Sequence, residues 1–189
     1  MKKYVFIALF IVSLVLIFGL AVSKTPKSNN HAAENYFTQL DKTPKTLTVK
    51  NVASKFKKLF GDFKAGATEE IIRQTYAKEF YFNDTFVVLT NIEDLVPHMI
   101  NTAQNTKSTT VEILDSAFSG TDYYIRWVMV MEFKAKGKNV YSRSIGMTQL
   151  RFDAEGKIIF HQDFWDSAEG FYQHLPYIGY FIRKIRSKL

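Results

Sequence analysis

The 189-residue chain contains no cysteine. Disulfides, thiolate catalysis and thiolate-ligated zinc are therefore excluded, and cysteine usage gives no reading of redox compartment. The chain shows no internal repeat. Its central part also lacks an excess of either charge. Residues 47–180 hold 15 basic and 16 acidic residues, a net −1, although the whole chain is +7. The surplus sits at the two ends. Residues 1–46 hold six lysines against Glu34 and Asp41, and the last nine residues hold Arg183, Lys184, Arg186 and Lys188 without an acid. A nucleic-acid binder carries its charge as a patch or stripe on the fold, so no nucleic-acid partner is expected. Basic ends flanking a neutral domain suit an anionic membrane surface better.

Apolar residues make up 47% of the chain, including 17 Phe and 10 Tyr, enough for one sizeable core. Lys2 and Lys3 precede an uncharged run whose core, Val5–Val22, is 18 residues long. As a helix it reaches about 27 Å, close to the thickness of a thin bilayer core. Residues 1–23 thus read as a transmembrane anchor or as a signal segment. A cleavage site at Ala21-Val22-Ser23 would release a secreted protein. An uncleaved anchor would leave the domain membrane-bound, facing the periplasm or exterior in a bacterium. Residues 24–46, rich in Lys, Asn and Thr with two Pro, read as a linker. His31 within it carries no expected role.

From residue 47 the hydrophobic period becomes informative. Val49, Val52, Ala53, Phe56, Leu59 and Phe60 fall on one helical face. Gly61 and Gly66 bracket a turn. Thr68 is an N-cap for a second helix, which carries Glu69 and Glu70 in its first turn and ends near Ala77. Phe80–Leu89 is aromatic and β-branched, a strand region. Ile92–Ala103 reads as a third helix, in which Pro97 is tolerable only near the first turn. Strands follow at Val111–Phe118 (with a bulge or bend), Tyr123–Phe133, Val140–Phe152 and Lys157–Trp165, joined by turns at 136–139 and 153–156. Three helices followed by an antiparallel meander make an α+β domain with helices on one face of the sheet. After Pro176, Ile178, Phe181, Ile182, Ile185 and Leu189 share a face opposite four basic residues. Residues 171–189 therefore include a short basic amphipathic helix, either docked over the domain or lying on anionic lipid.

Two stretches carry a family resemblance. YAKEFYFNDT (76–85) and QLRFDAEGKIIFHQDFW (149–165) resemble signatures of the NTF2-like superfamily, which includes the SnoaL-like and ketosteroid isomerase-like proteins. The resemblance covers roughly residues 48–189, with the domain proper at 47–170. It implies a cone of about three helices packed on a curved antiparallel sheet, around one deep and largely apolar pocket. It does not fix a reaction, because one fold hosts many chemistries. The segment from His161 to Arg186 also resembles a membrane-tethered branch of undefined role. Homodimerisation through the open face of the sheet is a further expectation from the resemblance.

In the isomerases the catalytic Asp follows the Ala of the opening motif by seven residues, and Asp84 stands there. Arg151, Phe152, Gly156, Phe164 and Trp165 match the last hairpin. The two donors of the isomerase oxyanion hole do not carry over. Thr148 replaces a protonated Asp, and no Tyr lies between Val49 and Phe60. Loss of one such donor costs on the order of 10²–10³ in rate, which argues against ketosteroid isomerisation.

Alternation along the last strand places His161 and Asp163 on the face of Trp165. Dehydratases of the superfamily use an Asp–His arrangement, so the resemblance implies acid/base roles for Asp84, His161 and Asp163. In that reading Asp84 or His161 is the base, Asp163 orients His161, and no cofactor is used. The bland alternative is that His161 and Asp163 merely brace the cone. Thr148, Trp165 and Trp127 are expected to contact a small apolar or lipid-like ligand. Tyr124, Met129 and Met131 share the Trp127 strand, and the sequence does not say which alternate set faces inward. A metal is not expected, because His98 and His174 lack ligand spacing to His161. The competing function is a non-catalytic interaction module.

Overall fold

The computed structural model describes residues 31–45 and 48–189. The Val5–Val22 run lies outside them. Among the described residues no helix is long and apolar enough to cross a membrane.

Helix α1 (His31–Lys42) occupies part of the expected linker, where composition gave no reason for one. Its C-terminal end is held from afar. The Arg151 guanidinium donates to the carbonyls of Leu40 (2.6 Å) and Thr43 (2.8 Å). The same buried arginine is paired with Asp122. A cation at a helix C-terminus both satisfies orphan carbonyls and complements the helix dipole. Residues from Gln39 to Leu189 form one compact unit.

Helix α2 (Val52–Phe60) buries Val52, Phe56 and Leu59. A short α3 (Phe63–Gly66) is capped by Asp62, and α4 (Glu69–Thr75) by the Thr68 hydroxyl, which accepts from the Ile71 amide. The anticipated single strand region resolves into β1 (Tyr76–Asn83) and β2 (Val88–Asn91) with a turn at Asp84. Helix α5 (Ile92–Asn105) buries Ile92, Leu95, Val96, Met99 and Ala103. Pro97 is the sixth residue of this helix, beyond the first turn where it was expected to be confined. The carbonyl it leaves without an amide partner is that of Glu93, and both residues are exposed, so water can take the place of the missing donor.

The meander consists of β3 (Thr106–Ser119), β4 (Asp122–Ala135), β5 (Lys138–Phe152) and β6 (Ile158–Trp165). Its hairpins follow turn chemistry. Lys136 and Gly137, both with positive φ, make a two-residue connection between β4 and β5, tighter than the four residues expected. The register of β3 against β4 slips at Leu114, the anticipated bulge.

The six strands run in the order β2-β1-β6-β5-β4-β3. One pair departs from the expected antiparallel sheet, because β1 lies parallel to β6. The whole meander separates those strands in sequence, so no hairpin forces them to be antiparallel. Helices α2 and α5 pack their apolar faces on Ile125, Trp127, Leu150 and Ile158 of the sheet. Chain then continues through α6 (Ser167–Gly170) and a 3-10 turn (Tyr172–His174) to α7 (Ile178–Arg186).

Candidate active site in an apolar cone

A cavity of about 140 Å³ opens between α2, α5 and the concave face of the sheet. Its wall is mainly aromatic and aliphatic, with Phe56, Phe60, Phe82, Met99, Met129 and Trp165 among the lining groups. The polar groups in the wall are few, and they include Asp84, His98, Thr148 and Asp163. Of the alternate sets on β4, the one containing Trp127, Met129 and Met131 lines the cavity.

Glycine 146 explains why Trp127 lies where it does. It pairs with Trp127 on one side and Trp165 on the other. A Cβ at this position would stand 2.4 Å from the Trp127 ring, so only glycine admits the indole. The ring is thereby laid across β5 with Nε1 donating to Thr148 Oγ1 at 2.8 Å. Gly170 performs the same service for Trp165, whose ring would meet a Cβ there at 2.5 Å.

Thr148 and Asp163 are direct cross-strand partners on β5 and β6. The Thr148 hydroxyl donates to Asp163 Oδ1 at 2.5 Å. His161 Nε2 lies 3.0 Å from the same oxygen, and His161 Nδ1 lies 2.8 Å from the Tyr76 hydroxyl. Burial pushes the Tyr76 phenol well above its usual value, and the nearby Asp163 and Asp84 charges push the same way. Tyr76 therefore keeps its proton and can donate it to Nδ1. An imidazole that accepts at Nδ1 presents its ring hydrogen at Nε2, the nitrogen facing Asp163. Asp163 Oδ2 receives no hydrogen bond from the described residues, and Asp163 is part of the cavity wall.

The expected common face of His161, Asp163 and Trp165 exists, but depth separates its members. Asp163 and Trp165 reach the cavity, whereas His161 does not. The His161 side chain is 1% exposed, with the Phe82 ring 4.8 Å and the Phe60 ring 5.8 Å from its own. The expected direction of support is thus reversed, with His161 standing behind Asp163 and fixing it.

Asp84 sits in the turn after β1. Its Oδ1 accepts from the Phe86 and Val87 amides (2.8 and 2.9 Å), and its Oδ2 lies 3.0 Å from His98 Nε2. Burial works to raise its pKa. The His98 hydrogen bond and the two amides outweigh burial and hold the carboxyl below its ordinary value. An ionised carboxylate only accepts, so the hydrogen between the pair is on His98 Nε2. The Asp84 carbonyl also accepts from Trp165 Nε1 at 3.1 Å, which joins this turn to β6.

His98 is the site residue that sequence reasoning passed over. It was weighed only as a metal ligand, yet it follows Leu95 by three and precedes Thr102 by four on the inward stripe of α5. The cone therefore contains two Asp–His pairs of opposite sense. In Asp84–His98 both members line the cavity, and in Asp163–His161 only the carboxylate does. Among the described residues no three or more His, Asp or Glu side chains form a metal-holding group.

No family model matches the chain, and no curated protein matches it. Solved structures do. A hypothetical protein of ketosteroid isomerase-like fold from Catenulispora acidiphila, in complex with trimethylamine, superposes with a TM-score of 0.55 at 16% identity, covering 68% of this chain and 96% of that one. A candidate SnoaL-like polyketide cyclase from Shewanella denitrificans gives 0.53 at 13% identity, over 62% and 89%. A phenazine biosynthesis-related protein from Pseudomonas aeruginosa gives 0.51 at 11% identity, over 62% and 78%. The fold is therefore NTF2-like, of the type found in SnoaL-like and ketosteroid isomerase-like proteins.

Proposed function

We propose that this domain, held at a membrane by Val5–Val22 and facing the periplasm or exterior, binds a small apolar molecule in its cone and acts on it by acid/base chemistry. The observation that carries the reading is the bonding of Asp163. One oxygen is fixed by Thr148 and His161, and the other is left for a ligand in an otherwise apolar wall. Fixing a carboxylate from behind is how a site holds a base in one geometry. Asp84 is a poor base, because a carboxyl held below its ordinary value has less affinity for a proton near neutral pH. In this reading His98 and Asp84 form the second proton-handling group of the cavity, and Trp127 and Trp165 shape the pocket.

The volume limits the ligand. A cavity of about 150 Å³ accommodates benzene. A ring of that size fits here, whereas a steroid or acyl chain exceeds the volume. The test is a ligand-observed NMR screen of the full chain with single-ring phenols, ketones and amines. Binding that disappears when Val111→Phe fills the cavity, with proton exchange next to a ketone lost in Asp163→Asn, supports the reading. Fragments that bind equally to the filled variant refute it.

One observation favours the interaction-module alternative. Tyr141, Ile145 and Phe164 are exposed large apolar side chains on β5 and β6, available to a second copy of the chain. Sedimentation of an Ile145→Glu variant tests that reading. An unchanged mass against a dimeric parent would exclude this face.

A further inference from the structure

Helix α7 sits the wrong way round for a protein in water. A surface helix normally turns its apolar stripe to the core and its charges to solvent. Here the residue that packs inward is Gly179, the only buried one in the helix, and it packs on the preceding 3-10 turn. A Cβ at Gly179 would stand 2.2 Å from the Gln173 carbonyl, so the helix makes its closest approach there. The same side is pinned by polar contacts. Arg183 donates to the Gln173 carbonyl, and Arg186 reaches Asp166 at 2.6 Å and Glu169 at 2.9 Å. Ile178, Phe181 and Ile185 recur at steps of three and four and form one stripe, whereas Ile182 of the expected apolar face is half-buried on the inner side. Phe181 and Ile185 are 61% and 60% exposed, and Leu189 is fully so.

We infer that this stripe is a docking surface for an anionic phospholipid bilayer. Charge selects that occupant. Lys184 within the helix and Lys188 just beyond its end are both exposed beside the stripe. Lys136, from the β4–β5 turn, stands against the Tyr177 hydroxyl at 2.6 Å and adds a cation at the start of the helix. An apolar stripe rimmed by lysines matches acyl chains beneath anionic headgroups. A second copy docked on the same stripe would bring two lysine-rimmed helices together. The Arg186 contacts hold the helix with this face outward before any lipid is met, so docking does not require the helix to roll. The inference rests on the reading that the domain works at a membrane. It does not depend on which ligand the cone takes.

The absence of cysteine makes the test direct. An environment-sensitive dye is placed on Ile185→Cys of the full chain, and on Glu112→Cys as an exposed control on β3. Each protein is reconstituted with vesicles of phosphatidylcholine alone or mixed equally with phosphatidylglycerol, with and without brominated acyl chains. Sedimentation reads vesicle association separately. The expected result is a blue-shifted dye at 185, quenched by brominated lipid on the anionic vesicles only, with none at 112. The variant K184E/K188E should weaken that docking by about tenfold or more, since each lysine near such a surface is worth several-fold in affinity. Its two positions are exposed, so the fold is unaffected. A dye at 185 that stays water-like on vesicles the protein has joined would overturn the inference while sparing the tether. A shifted dye that brominated lipid fails to quench means a protein covers the stripe, and overturns it too. Failure to sediment with any vesicle overturns the membrane reading itself.

Discussion

Removing the Thr148 hydroxyl while keeping its shape tests the bonding of Asp163. Thr148 is fully buried, donates to Asp163 and accepts from Trp127 Nε1. Thr148→Val keeps the volume, so the cavity contribution is small. It removes a hydrogen bond to a carboxylate, about 1.5–3 kcal/mol, and strands a buried indole N–H, about 1–3 kcal/mol. Asp163 keeps its His161 partner and is 17% exposed, so it is not itself stranded. The lower ends of both ranges then apply, and the net loss is about 2.5 kcal/mol. Thr148→Ser keeps both hydrogen bonds and loses one methyl, costing about 1 kcal/mol. Equilibrium urea unfolding followed by far-ultraviolet circular dichroism separates the two. In a Trp127→Phe background Thr148→Val should cost about 1–2 kcal/mol less, because no N–H is left to strand. If valine proves no worse than serine, the hydroxyl is not bonded as described and the argument for a fixed Asp163 fails.

Two further outcomes follow, one from Asp84 and one from the buried Arg151–Asp122 pair. The folded pKa of Asp84 is depressed, so its stabilising contribution is present above the unfolded value of about 3.9 and is lost as pH falls through the folded value. His98→Ala removes one of the donors that depress it, which should cost about 1–2 kcal/mol at neutral pH and flatten the acid side of the urea-midpoint profile; a slope equal to the parent's would show that the pair contributes nothing. Arg151→Met leaves Asp122 buried without its cation and frees the Leu40 and Thr43 carbonyls. Breaking such a pair costs about 3–5 kcal/mol, so the unfolding midpoint should drop sharply and amides at the end of α1 should exchange faster, whereas an unchanged midpoint would contradict the buried pairing.

What the sequence revealed and what it hid divide along the range of the interactions involved. Local chemistry was readable. The Thr68 cap, the face of α2, the bulge near Leu114 and the strands of the meander each follow from residues within a few positions of one another. Alternation likewise placed His161, Asp163 and Trp165 on one face. What escaped depends on contacts distant in sequence. Helix α1 has no buried residue to announce it, and its end is tied by an arginine more than a hundred residues away. The parallel pairing of β1 with β6 is decided across the whole meander.

The site itself shows why face and depth are separate questions. Period-two reasoning says which side of a sheet a residue is on, but not what is stacked above it. Above His161 lie rings from α2 and β1, supplied by Phe56, Phe60 and Phe82, and they seal the imidazole from the cavity. Asp163, two residues on, reaches the cavity wall. Conversely, His98 entered the site from a helix whose stripe was already legible, and only the expectation that histidines work in metal-ligand spacing kept it out. The partner that gives it a role, Asp84, lies 14 residues away across a turn, and the turn is shaped by the same carboxylate that meets the imidazole. A residue that both builds its loop and pairs with a histidine of the cavity wall cannot be replaced without moving both. Asp84→Asn should therefore change the position of Phe86 at the wall as well as the charge, and an effect of that variant on ligand binding cannot be assigned to chemistry unless His98→Gln, which leaves the turn intact, shares it.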